Sequence, residues 1–74
     1  MARLIRLDRS GHTTLAEWTG GDEAARERAV AAFRAQLEAG MIASVQRPDG
    51  TADVVRELPL DAELVVMRRP IAGG

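Results

Sequence analysis

The chain has 74 residues, a length that suits one domain near the lower limit for a self-supporting hydrophobic core. Its apolar content is 46%, with only one Phe, one Trp and no Tyr, which predicts a small core of aliphatic side chains. The net charge of −1 argues against nucleic-acid or anionic-lipid partners, and the absence of cysteine excludes disulfides, thiolate metal sites and a cysteine nucleophile.

The N-terminal segment does not have the pattern of a targeting signal. Residues 1–6 interleave two arginines with apolar side chains, whereas a signal peptide follows its basic start with a continuous apolar stretch. No apolar run in the chain approaches the length needed to cross a bilayer. We therefore expect a cytoplasmic protein with no membrane partner.

The first elements predicted are two strands that form a hairpin. Residues 3–7 favour a strand with alternating faces, and residues 13–18 favour a second strand rich in β-branched side chains. Asp8-Arg9-Ser10-Gly11 between them is a turn sequence, because Gly adopts positive φ and Asp or Ser side chains bond nearby backbone groups. Leu15 is expected to face the core, whereas the pattern leaves the side of the sheet taken by Trp18 open.

A helix is predicted after the break at Gly20-Gly21. Asp22 is a suitable N-cap, because its carboxylate accepts from the free N–H groups of the first turn. The helix is expected to run to about Ala39 and to end with Gly40 in the left-handed conformation. The residues of its apolar stripe are Ala29, Val30, Phe33 and Leu37.

The second half of the chain predicts three further strands. Residues 41–45 and 51–58 form a hairpin around the type I turn sequence Arg47-Pro48-Asp49-Gly50, and Pro59 prevents the second of these strands from continuing. Residues 63–68 form the last strand. Its Leu-Val-Val-Met run predicts burial on both faces, which is typical of a strand in the middle of a sheet.

The element order is therefore ββαβββ, and it predicts an α+β domain in which a mixed sheet of four to five strands packs on one helix. A central last strand can lie parallel to the first, because the helix and second hairpin supply enough chain for the crossover. We expect one domain over residues 1–69 and a flexible C-terminal tail over residues 70–74.

This order and the C-terminal sequence resemble the ubiquitin-like β-grasp family, above all its bacterial sulfur carriers, which are the molybdopterin synthase small subunit and the thiamine-pathway carrier. Residues 58–67, Leu-Pro-Leu-Asp-Ala-Glu-Leu-Val-Val-Met, are similar to the carriers' leucine, short acidic turn and final apolar strand. Pro70-Ile71-Ala72-Gly73-Gly74 is similar to their Pro-aliphatic-small-Gly-Gly terminus. The topology covers nearly the whole chain, whereas the specific motif covers about the last seventeen residues.

The resemblance implies a protein substrate rather than an enzyme. A partner adenylyltransferase would use ATP and magnesium to activate the Gly74 carboxylate, and a sulfurtransferase would convert it to a thiocarboxylate for an acceptor synthase subunit. Gly73 would remove steric bulk beside the reacting residue, and the chain itself would bind no cofactor or metal. The resemblance assigns five preceding residues to partner binding: Arg68, Arg69, Pro70, Ile71 and Ala72.

Two other functions stay open. Arginines close to the glycines are typical of ubiquitin-type tails, so the chain can instead be a protein modifier joined to target lysines and removed by an isopeptidase. All ten basic residues are Arg, which prevents joining through its own side chains but also fits an Arg-rich codon usage. The third function is a β-grasp interaction or assembly module whose terminus never reacts.

The remaining polar residues favour structural interpretations. His12 is the chain's one histidine and lies beside a turn glycine, which indicates a surface residue and not a metal ligand. Asp22 and Glu23 are explained by helix capping, and Asp8 and Asp61 by turns. No phosphate-binding loop, nucleophile elbow or paired-carboxylate motif occurs.

Overall fold

A computed structural model describes residues 1–70. Across these residues one helix lies against one face of a five-stranded mixed sheet, in strand order β2-β1-β5-β3-β4. The predicted α+β class and the ββαβββ order of a β-grasp-like domain are therefore confirmed. The elements are β1 Ala2–Asp8, β2 Gly11–Trp18, α1 Glu23–Glu38, β3 Ile42–Gln46, β4 Ala52–Val55 and β5 Leu64–Arg68. In the part of the chain described, no helix has the length and apolarity that a membrane crossing requires.

The last strand occupies the centre of the sheet, as its apolar run predicts. β5 lies parallel to β1 and antiparallel to β3, and Leu4 is the register partner of Val65. The predicted burial on both faces is wrong, however. Val65 and Met67 are fully buried, whereas Leu64 is 39% exposed and Val66 is only half-buried. The helix covers one face of the sheet, so alternate side chains of even the central strand face the uncovered side.

The first hairpin contains a β-bulge that the sequence pattern did not predict. Leu4 pairs with Ala16, but Ile5 pairs with Thr14, so β2 has an extra residue at Leu15. A bulge of this kind bends the strand and increases its twist. Leu15 and Ala16 both pack against the core, which confirms the inward position expected for Leu15.

Both helix ends have the predicted caps. The Asp22 side chain accepts a hydrogen bond from the Ala25 N–H at 3.0 Å. At the other end Gly40 has φ +90°, and its N–H donates to the Leu37 carbonyl at 3.0 Å. The Met41 N–H donates to the Gln36 carbonyl at 3.0 Å, which completes a Schellman motif.

The second hairpin has the predicted turn but a shorter second strand. The Gly50 N–H donates to the Arg47 carbonyl at 3.0 Å, and Gly50 has φ +89°. β4 ends at Val55, three residues before the predicted end at Leu58. Val55 pairs with Ala43 close to the start of β3, so the residues that follow have almost no partner strand left to pair with.

The core lies between α1 and the covered face of the sheet. Trp18 belongs to it with 2% of its surface exposed, which places this side chain on the helix side of β2. Ala25, one turn before Ala29, extends the predicted helix stripe towards the N-terminus. The fully packed members are Leu4, Trp18, Ala25, Ala29, Phe33, Ala43, Val65 and Met67.

Candidate functional site

The end of β5 is the part of the predicted site that the structure describes. Arg68 is the last strand residue and pairs with Ile42 of β3, while Arg69 and Pro70 follow the strand. Three of the five predicted partner-binding residues, Arg68, Arg69 and Pro70, are described, and all three are exposed. The other predicted site residues, which are Ile71, Ala72, Gly73 and Gly74, lie outside the described residues.

The two arginines at the end of β5 belong to different surfaces. Met67 faces the core, so the alternation of an extended chain directs Arg68 to the uncovered side of the sheet. Arg69 lies on the helix side, where it lines a groove together with Gln36 and Met41. A partner that contacts both guanidinium groups therefore has to reach both faces of the sheet at the end of β5.

The groove beside Arg69 is a feature that sequence reasoning missed. It has a volume of about 860 Å³ and lies between the β1–β2 turn, the C-terminal end of α1 and the end of β5. Arg6 and Arg9 line it as well as Arg69, so we call it the arginine groove. Arg6 reaches it because it is the register partner of Met67 in the parallel β1–β5 pair. The alternating pattern of the first strand indicates which of its side chains share a face, but it does not indicate that Arg6 lies beside the last strand. Only the pairing of β1 with β5 does so.

The charges of the arginine groove are unequal. Three guanidinium groups share it with one carboxylate, that of Asp8. The Ser10 hydroxyl and the Ser10 N–H each donate to Asp8 Oδ1 at 2.9 Å, and these hydrogen bonds hold the pKa of Asp8 below its usual value. Within residues 1–70 the structure has one ion pair, Arg47–Asp53, which is outside the groove. The described residues therefore leave the three guanidinium groups without a salt-bridge partner.

A second surface is the uncovered face of the sheet. Its central row contains Ile5 and Val66, which are register partners in neighbouring strands, and other apolar side chains on this face are more exposed. Leu7 is 45% exposed and Val54 is 66% exposed. Arg3 pairs with Leu64 at one end of this face, so the apolar strip has a basic border.

Comparison of the chain with protein-family models, with curated proteins and with solved structures finds no match. The chemistry of its own residues is therefore the basis for assigning a function.

The other polar residues considered in the sequence have structural positions. His12 is exposed and pairs with Leu7 in the first hairpin. Asp22 caps the helix, and Glu23 lies in its first turn. Among residues 1–70 no group of three or more His, Cys, Asp or Glu side chains is arranged to hold a metal ion.

Proposed function

We propose that this protein is a small ubiquitin-like carrier whose Gly74 carboxylate is adenylated by a partner enzyme and then converted to a thiocarboxylate for sulfur transfer. The observation that carries the proposal is the position of Pro70-Ile71-Ala72-Gly73-Gly74 directly after β5, the central strand of a β-grasp-like sheet. The proposal requires that the mature protein end at Gly74.

The central position of β5 suits a strand that anchors a reactive terminus. β5 has hydrogen-bonded neighbours on both sides, so force applied to residues beyond it is resisted by two ladders. Pro70 has no N–H group and therefore does not extend either ladder. Ala72, Gly73 and Gly74 have small or absent side chains, which suits passage through a narrow active-site channel.

The chemistry requires an activated carboxylate because oxide is a poor leaving group. In the first step a carboxylate oxygen of Gly74 attacks the α-phosphorus of magnesium-bound ATP, which gives an acyl-adenylate and releases pyrophosphate. In the second step hydrosulfide attacks the acyl carbon and releases AMP. Where the sulfur comes from the persulfide of a sulfurtransferase, the terminal persulfide sulfur attacks instead, and a thiol then cleaves the resulting acyl disulfide and is itself oxidised to a disulfide with the sulfurtransferase cysteine. The product is a thiocarboxylate, a nucleophile that an acceptor synthase subunit can use.

A protein modifier is the second candidate, and one observation favours it. None of the ten basic residues is Lys, so the chain has no side-chain amine on which another copy can be attached. In this function the acyl group passes from AMP to an enzyme cysteine and then to a target lysine, from which an isopeptidase later removes it.

The deciding experiment is mass spectrometry of the protein recovered from its own host. A mass increase equal to the replacement of one oxygen by sulfur, located on Gly74, supports the carrier. Gly-Gly remnants on lysines of other proteins support the modifier instead. An unmodified terminus in all growth conditions, with normal function after deletion of residues 73–74, overturns both and leaves the interaction module.

A matched pair of alanine variants tests the role of the tail glycine. Gly73→Ala adds a methyl group beside the reacting residue, so we expect a smaller thiocarboxylate fraction with unchanged thermal stability. Gly20→Ala adds the same group in the loop before α1, where the new Cβ has no atom within 4 Å, and it should leave the fraction unchanged. Equal thiocarboxylate fractions in the two variants would contradict a narrow channel around Gly73.

A further inference from the structure

The arginine groove lies at the base of the C-terminal tail. Arg69 is part of its wall, and it is separated from Pro70 by one peptide bond. An enzyme that draws the tail into its active site must surround the point where the chain leaves the sheet. The groove is therefore inside the area that such an enzyme covers, although none of its β1 residues belongs to the C-terminal motif.

The groove has the composition of a site for acidic side chains. Its three arginines come from three different elements, which are β1, the β1–β2 turn and the end of β5. Such a distribution suits several separate carboxylates, each of which an arginine can bind through two parallel hydrogen bonds. Met41 adds apolar surface to the groove.

We propose that the arginine groove binds a segment of the activating enzyme that contains several Asp or Glu residues and at least one large apolar residue. The identity of the enzyme rests on the function proposed above, whereas the acidic character of the ligand rests on the groove alone. Asp8 does not cancel the groove's positive charge, because three arginines face its one carboxylate.

The binding test needs no knowledge of the enzyme. The isotope-labelled protein is titrated with a synthetic peptide in which pairs of glutamates alternate with pairs of leucines. The backbone amide resonances of the protein are recorded during the titration. We expect saturable shifts confined to residues 6–10, 36, 39–41 and 69, which weaken as salt is added. A lysine–leucine peptide of equal length should give none. Shifts that inorganic phosphate reproduces in full, or that map to the uncovered sheet face, would overturn the proposal.

Two double variants with the same charge change provide the control. Arg9→Gln with Arg69→Gln removes two exposed groove arginines, and we expect peptide affinity to fall roughly threefold to tenfold. Arg28→Gln with Arg56→Gln removes two exposed arginines elsewhere and should change affinity much less. Equal losses would show that net charge, and not the groove, governs binding.

The same variants separate failure of this inference from failure of the proposed function. With the host's activating enzyme, the groove double variant should raise the KM for the protein severalfold more than the control double variant does. Adenylation of the unaltered protein with no KM change in the groove variant would overturn the groove proposal alone. Absence of adenylation of the unaltered protein would instead contradict the proposed function, and the peptide titration would still decide what the groove binds.

Discussion

The indole Nε1 of Trp18 donates a hydrogen bond to the backbone carbonyl of Leu60 at 3.1 Å, across 42 positions of sequence. Trp18 is the last residue of the edge strand β2, and Leu60 lies in the loop between β4 and β5. The loop residue Glu63 also accepts from the Arg3 N–H at 2.9 Å. These two contacts attach the loop to the first hairpin and fix the point at which β5 enters the centre of the sheet.

Replacement of Trp18 by Phe should therefore destabilise the domain. The variant loses a hydrogen bond from a buried donor, which leaves the Leu60 carbonyl without this partner, and it also loses part of the buried ring. We expect the free energy of unfolding to fall by about 2 kcal/mol. Trp18 is the one Trp and the chain has no Tyr, so far-UV circular dichroism in urea is the appropriate measurement. A loss below about 0.5 kcal/mol would mean that the contact does not hold the loop.

Two neighbouring valines of β5 provide a test of one-sided burial. Val65 is fully buried under α1, whereas Val66 is half-buried on the uncovered face. Val65→Ala should lower the free energy of unfolding by about 2–3 kcal/mol, and Val66→Ala by about 1 kcal/mol. Both substitutions change β-propensity equally, so the difference measured by urea denaturation reports burial. Equal losses would indicate that something covers both faces of the strand in solution.

Local chemistry made much of this fold predictable. Asp22 and Gly40 define the helix because capping depends on groups only a few residues away. The turn that ends at Gly50 was predictable for the same reason. The central position of β5 was predictable from its apolar run, which few other environments in a small domain accommodate.

The features that were not predictable depend on pairing between distant strands. The bulge at Leu15 and the early end of β4 follow from register, which a strand's own sequence does not define. Arg6 belongs to the candidate site only because β1 lies beside β5. The tail assignments at residues 71–74 stay predictions, since these residues are outside those described.

The glycine that ends the helix should be much less tolerant of substitution than a loop glycine. Gly40 has φ +90°, a conformation in which a Cβ is strained even though open space surrounds it. Gly40→Ala should therefore lower the free energy of unfolding by about 1 kcal/mol. Gly20 lies outside the positive-φ region, and Gly20→Ala should raise stability by about 0.5 kcal/mol because it restricts the unfolded chain. Thermal denaturation of the two variants checks the opposite signs, and a shared sign would contradict the Schellman cap.

Two turn aspartates should make stability depend on pH in the acid range. The Thr51 hydroxyl and N–H donate to Asp49 Oδ1 at 2.6 and 2.9 Å, and these hydrogen bonds hold the pKa of Asp49 below its usual value. The hydrogen bonds from Ser10 do the same for the pKa of Asp8. A folded-state pKa below the unfolded one means that the unfolded chain binds more protons in this window. The resulting stabilisation is complete above the unfolded value of about 4 and is lost as pH falls through the folded pKa values.

Reciprocal substitutions at the hydroxyl donors test this assignment. Ser10→Ala should raise the pKa of Asp8 towards its usual value and leave the pKa of Asp49 unchanged, because the two turns lie at opposite ends of the sheet order. Thr51→Ala should do the reverse. Carboxyl ¹³C resonances followed through an acid titration report each aspartate separately. A substitution that shifted both pKa values, or neither of them, would contradict this assignment. The general field of the protein, and not the hydrogen bonds within each turn, would then be the cause of the lowered pKa values.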